Sequence, residues 1–245
     1  MLSVLLVLSC ILRKQEIEKE VITAEHFQLH GLWKQGKYED FERILKEKES
    51  SENTQSFWMM ANKLYAEKGR RELDEYSLQQ AKQYGFRCLL DDSSFRALVE
   101  LEGGVIHKKA IEVLDYEDPA ILQCALWTSI AWNLWLHQRQ GHILLEDQRN
   151  AQLLAEWVLR YSESDWAHYA VALSESTVFV KNDPNWSKIK DHFQQALNID
   201  PLVEFELFYY HHRIVDEERY CQRKEWPQLN EEYQQRWRES LFVCD

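Results

Sequence analysis

The stretch WSKIKDHFQQALNIDP (186–201) carries the clearest helical signature in the chain. Its Ile189, Phe193 and Ala196 follow one another at intervals of four and three residues, which places them on one face of a helix. Pro201 follows at a distance typical of the end of one helix and the start of the next. A small residue at Ala196 allows a neighbouring helix to approach closely. The stretch therefore predicts the second helix of a helical hairpin.

Helical spacing recurs on both sides of this stretch. Turns are indicated at 35–37 and 68–70, and the chain contains only 7 Gly and 4 Pro, too few for a sheet-rich fold. We therefore predict an all-α protein of stacked antiparallel helical hairpins, a tetratricopeptide-like α-solenoid. The predicted helices are 22–34, one from Tyr38 onward, 54–67, 72–90, 94–114, 119–137, 145–161, 164–180, 185–199, 202–221 and 227–242.

Charge and composition limit the classes of function. The net charge of −12 argues against nucleic-acid binding, which needs a basic surface. The five cysteines form no CxxC pair and have no metal-ligand spacing, so we expect no metal site and no cofactor. Cys88 and Cys124 lie in apolar helical segments, and we expect both to be buried free thiols. No catalytic motif is present, so we expect no enzyme activity and assign no catalytic residue.

The N-terminus differs in character from the rest. Residues 1–20 read as a signal-like segment and possible lipid anchor, and 21–245 as a single helical-repeat domain. The start MLSVLLVLSC (1–10) resembles a bacterial lipobox, in which an apolar residue and two smaller ones precede an acylated cysteine. We therefore expect lipidation at Cys10. The alternative is an apolar beginning of the first helix, with Cys10 unmodified.

Several blocks resemble one family in order and spacing. They are YGFRCLL (84–90), ALWTSIAWNLWL (125–136), DHFQQALNIDP (191–201) and EFELFYYHHRIVDEERY (204–220). Together they are similar to the T components associated with TRAP transporters, the TatT-like proteins. The resemblance implies a lipid-anchored periplasmic protein that partners a periplasmic solute-binding protein of a TRAP system. It also implies a hydrophobic small-molecule ligand and assembly as a homotrimer around a pore.

Two groups are candidates for a ligand-binding or pore surface. One lies on the apolar helix at 119–137, where a buried amide needs a hydrogen-bond partner. The other is a dense polar group in a later helix. Both also have a purely structural interpretation, as buried core and as internal hydrogen bonding. The candidate residues are Trp127, Trp132, Asn133, Trp135, Tyr209, Tyr210, His212 and Arg213.

From these patterns we expect an accessory subunit of a TRAP-type solute uptake system. It would bind a solute-binding protein and a hydrophobic ligand, without covalent chemistry. The alternative is a cytoplasmic adaptor of the tetratricopeptide type that binds a peptide of another protein. The presence or absence of a lipid on Cys10 distinguishes these two hypotheses.

We expect Cys10→Ser to abolish acylation, because the thiol is the group that would receive the lipid. Protein expressed in its own host is labelled with a fatty-acid analogue and analysed by mass spectrometry. Cys221→Ser serves as the control and retains the label. Unlabelled wild-type protein with Met1 intact would contradict the expectation of an anchor.

Overall fold

The computed structural model describes residues 31–32, 37–49, 54–139, 145–177 and 185–215. Helices account for 81% of this part of the chain, and it contains no strand. The predicted all-α class is therefore confirmed. The helices are α1 (Tyr38–Glu49), α2 (Gln55–Glu72), α3 (Glu75–Leu89), α4 (Ser93–Leu101), α5 (Lys108–Glu112), α6 (Pro119–Gln138), α7 (Leu145–Tyr161), α8 (Asp165–Ser176), α9 (Trp186–Gln195) and α10 (Pro201–Val215).

Helix α6 lies at the centre of the packing. It contacts α2, α3, α7 and α8, whereas α2 pairs with α3 and α8 pairs with α9. The chain turns from α2 into α3 at Leu73, whose φ of 51° is the left-handed conformation of a tight helix end. Paired helices around a central one agree with the predicted hairpins. The tetratricopeptide-like α-solenoid stays a prediction.

The start of α6 shows how local sequence fixes a helix end. Asp118 accepts a hydrogen bond from the backbone N–H of Ala120, and Pro119 occupies the first turn, where its missing N–H costs nothing. The helix then buries nearly its whole circumference, including the polar side chains of Thr128, Ser129 and Asn133. A helix that is apolar nearly all round is expected to be buried among others, and α6 confirms this.

The signature at 189–196 is buried as predicted. Ile189, Phe193 and Ala196 are each fully buried. The Phe193 ring lies between the rings of Tyr169 and Tyr210, at centroid distances of 6.1 and 5.7 Å. Helix α9 is shorter than predicted, since it ends at Gln195 and continues as turns.

The prediction of one continuous helix over 94–114 is wrong. The structure divides this segment into two helices, α4 and α5. The division lies at Gly103 and Gly104, whose φ values of +68° and +90° are left-handed and accessible to glycine at little cost. Other predicted segments, at 22–34 and 227–242, lie mostly or wholly outside the described residues, as does Cys10.

The expectation of free thiols at Cys88 and Cys124 is also wrong. The two residues form a disulfide bond between α3 and α6, with Cα atoms 6.1 Å apart. Both side chains are fully buried. Linear spacing indicated no pairing because the residues are 36 positions apart and meet only when the two helices pack.

We expect Phe193→Ala to destabilise the fold by about 3–5 kcal/mol, because it removes a fully buried ring and leaves a cavity. Urea unfolding followed by circular dichroism measures the loss. Leu197→Ala is the matched control, since its side chain is 40% exposed on the same segment and should cost less than about 1 kcal/mol. Equal losses for both variants would contradict the burial of this face.

Candidate functional site

The three tryptophans of α6 occupy different sides of the helix. Trp127 faces α2 and α8, where its ring lies 4.6 Å from that of Trp166 and its indole N–H donates to Gln123 Oε1 at 3.2 Å. The Lys63 ammonium lies 5.6 Å from the Trp127 ring centroid. Trp127 is therefore buried beside a partly exposed indole and a lysine, rather than beside the other two tryptophans of its helix.

Trp132 and Trp135 face α3 instead. The Trp132 ring meets Phe86 edge to face at 5.1 Å. The Lys82 ammonium lies 5.5 Å from the Trp132 ring centroid and 3.9 Å from that of Trp135. Trp132 is buried and Trp135 is partly exposed, so this second aromatic group reaches the edge of the packed helices.

Asn133 lies in the core between these groups. Its amide nitrogen donates to the Ser129 carbonyl one turn earlier, at 2.8 Å. Its Oδ1 atom is buried and has no hydrogen-bond partner in the described ranges. The amide nitrogen of Asn133 is therefore satisfied within its own helix. This agrees with a structural role for Asn133.

A buried ionic cluster centred on Arg70 joins three helices that are distant in sequence. From the end of α2, its guanidinium donates to both carboxylate oxygens of Asp200 at 2.8 and 3.0 Å. It also donates to both oxygens of Glu206, on α10, at 3.1 and 3.0 Å. Tyr169, on α8, donates its hydroxyl hydrogen to Glu206 at 2.8 Å. We call these four residues the Arg70 cluster.

The electrostatics of the Arg70 cluster follow from burial. Arg70 and Glu206 are almost inaccessible to solvent, whereas Asp200 is 22% exposed. Burial raises the pKa of the Glu206 carboxyl, and the neighbouring guanidinium offsets this only in part. Burial also opposes ionisation of Asp200, but the hydrogen bonds and charge of Arg70 outweigh it and lower the Asp200 pKa. Sequence reasoning missed this cluster because charged residues in helices are usually solvated.

The candidate polar group in α10 is only partly described. Tyr209 and Tyr210 are both buried. The Tyr210 ring lies 4.5 Å from that of His137, a residue of α6 whose Nε2 lies 3.1 Å from both the Leu173 carbonyl oxygen and Ser176 Oγ. The side chains of His212 and Arg213 lie outside the described ones. The two tyrosines are thus part of the packing between α6, α8 and α10.

A cleft of about 590 Å³ lies where α2, α4, α5 and α6 approach one another. Its wall includes the stacked rings of Tyr116 and Tyr161 and the carboxylates of Asp92, Asp115 and Asp118. These carboxylates accept backbone N–H groups at nearby turns and helix starts. Their hydrogen bonds therefore have a structural explanation, and we assign the cleft no ligand.

The described ranges contain neither a metal site nor a membrane-spanning helix. No group of three or more His, Cys, Asp or Glu residues among the described positions is arranged to hold a metal ion. None of the described helices combines the length and apolarity needed to cross a bilayer. Comparisons of the chain with protein-family models, curated proteins and solved structures found no match.

We expect Arg70→Met to destabilise the fold by about 3–5 kcal/mol, because it leaves Glu206 buried without its cation. The triple variant Arg70→Met/Tyr169→Phe/Glu206→Leu removes the polar groups of the three fully buried members and leaves only the partly exposed Asp200 without its cation. It should therefore recover most of that loss. Urea unfolding measures both free energies. A loss below about 1 kcal/mol for the single variant would contradict the role assigned to the cluster.

Proposed function

We propose that this chain is a periplasmic accessory subunit of a TRAP-type solute uptake system. It docks a periplasmic solute-binding protein and binds an apolar ligand, which it passes on without covalent chemistry. The blocks at 125–136 and 191–201, which resemble TatT-like proteins, support this proposal. The first block lies within α6 and the second includes the end of α9, and both helices contribute side chains to the core.

The disulfide between Cys88 and Cys124 is the observation that carries the periplasmic part of the proposal. Disulfides persist in oxidising compartments such as the periplasm and are rare in the cytosol, where thiols are kept reduced. This bond joins two helices of the core, and both sulfurs are inaccessible to solvent. It therefore favours the periplasmic hypothesis over the cytoplasmic adaptor.

The aromatic side chains of α6 support the ligand part of the proposal. Trp127 and Trp135 each lie within reach of a lysine side chain, and Trp135 and Trp166 are partly exposed. Aromatic rings offer large apolar area with little conformational entropy to lose on binding. Because α6 packs against several helices of the core, its tryptophan rings are held in place. The lipid anchor at Cys10 and assembly as a homotrimer remain predictions of the resemblance.

We expect Cys88 and Cys124 to be bonded in the cell. Protein from its own host is quenched in acid, free thiols are blocked with an alkylating reagent, and peptides are mapped by mass spectrometry. A linked peptide containing both cysteines is the expected result. Alkylation of both thiols in freshly quenched cells would instead favour the cytoplasmic adaptor.

Docking is tested separately by co-purification. The tagged wild-type chain, cross-linked in intact cells, should retain a periplasmic solute-binding protein, and the tag alone is the control. Recovery of cytoplasmic proteins only, together with reduced thiols at Cys88 and Cys124, would contradict the proposed function.

A further inference from the structure

Two indole N–H groups on one face of α6 have no hydrogen-bond acceptor among the described residues. The Nε1 atoms of Trp132 and Trp135 are both buried and unpaired, and so is the amide nitrogen of Gln138, one turn further along. Residues three apart lie on the same side of a helix. An indole nitrogen only donates hydrogen bonds, and a buried donor without an acceptor is destabilising. This face therefore presents donors that an acceptor group would satisfy.

Lys82 brings a cation to the same face. Its ammonium lies 3.9 Å from the Trp135 ring centroid, and no carboxylate within the described ranges forms an ion pair with it. Burial lowers the Lys82 pKa, and Arg139 lowers it further, whereas Asp147 on α7 acts in the opposite direction. Arg139 also lies over the Trp135 ring, but it is already paired with Glu75, at 2.6 Å. Of these two cations, Lys82 is the one without an ion-pair partner in the described part of the chain.

Apolar groups surround these donors. Trp132, Leu136 and Ala151 form a small buried cluster, against which Phe86 and Trp135 pack. Trp132 is 3% exposed, and Trp135 is partly exposed at the edge of the group. A ligand that reaches Lys82 therefore also meets aromatic rings along its body.

We propose that Lys82, Trp132 and Trp135 bind the oxyanion of a ligand whose body is apolar, such as a carboxylate or phosphate on an aliphatic chain. The indole N–H groups donate to the oxyanion and the ammonium balances its charge, while the rings cover the chain. Charge-assisted hydrogen bonds of this kind are stronger than neutral ones. A neutral ligand leaves Lys82 unpaired, and a cationic ligand is repelled by it.

This inference rests on the ligand part of the proposed function and names the chemistry of that ligand. Its test uses the purified chain alone, so it is independent of any solute-binding protein and of the cellular compartment. Absence of binding here and absence of docking in cells are therefore separate results.

The direct experiment is isothermal titration calorimetry with three probes of equal chain length, each below its micelle concentration or solubility limit. They are dodecanoate, dodecyl phosphate and dodecanol. We expect at least one anionic probe to bind tenfold or more tightly than dodecanol, and the stronger of the two identifies the head group. Equal affinity for dodecanol, or no binding of either anion, overturns the proposal.

Two variants assign the binding to these residues. Lys82→Met should weaken the anionic probe tenfold or more and leave dodecanol unchanged. Lys108→Met is the control, since Lys108 is exposed on α5, where it pairs with Glu112, and the affinity of this variant should stay at the wild-type value. Wild-type affinity in Lys82→Met, or an equal loss in Lys108→Met, overturns the assignment.

A stability measurement without ligand gives a readout that does not need a correct probe. Replacing Trp132 by benzothienylalanine, which carries sulfur where tryptophan carries the indole N–H, removes the unpaired buried donor and keeps both rings. The thermal midpoint of this variant should therefore equal or exceed that of the wild type, while its affinity for the anionic probe falls. A lowered midpoint shows that the indole N–H is satisfied within the fold, and overturns the proposal.

Discussion

The Arg70 cluster is the constraint on which the arrangement of the described helices depends. One guanidinium satisfies two carboxylates and a tyrosine hydroxyl, from residues 99 to 136 positions away in sequence. Removing these charges from water costs several kcal/mol for each ion, and only accurate geometry recovers that cost. A shifted packing of α2 against α8 or α10 would leave a charge buried and unpaired. The cluster therefore selects one arrangement of the helices over others of similar apolar burial.

Within that arrangement α6 determines where the candidate tryptophan rings lie. Because it is packed on several sides, its tryptophans point to two separate surfaces, one shared with α2 and α8 and the other with α3. The disulfide between Cys88 and Cys124 attaches α6 to α3 near the beginning of α6, and Lys82 and Phe86 lie on the same α3 helix. The bond thus helps to hold the rings and the lysine of the second surface in register.

The sequence predicted the local features and missed those that need tertiary contact. The helical class, the start of α6 at Asp118 and Pro119, and the burial of Phe193 follow from periodicity and capping, which act within one turn or two. The pairing of Cys88 with Cys124 and the Arg70 cluster unite residues tens to more than a hundred positions apart. The sequence also did not predict the unpaired indole N–H groups, because only the packed structure shows which donors lack an acceptor.

Native-state hydrogen exchange tests the central claim, that the Arg70 cluster makes one cooperative body of helices distant in sequence. Backbone amides in α2, α8 and α10 should exchange with the same opening free energy, close to that of global unfolding. In Arg70→Met the amides of α10 should exchange by a separate opening of much lower free energy. Independent, low-energy opening of α10 already in the wild type would contradict the account.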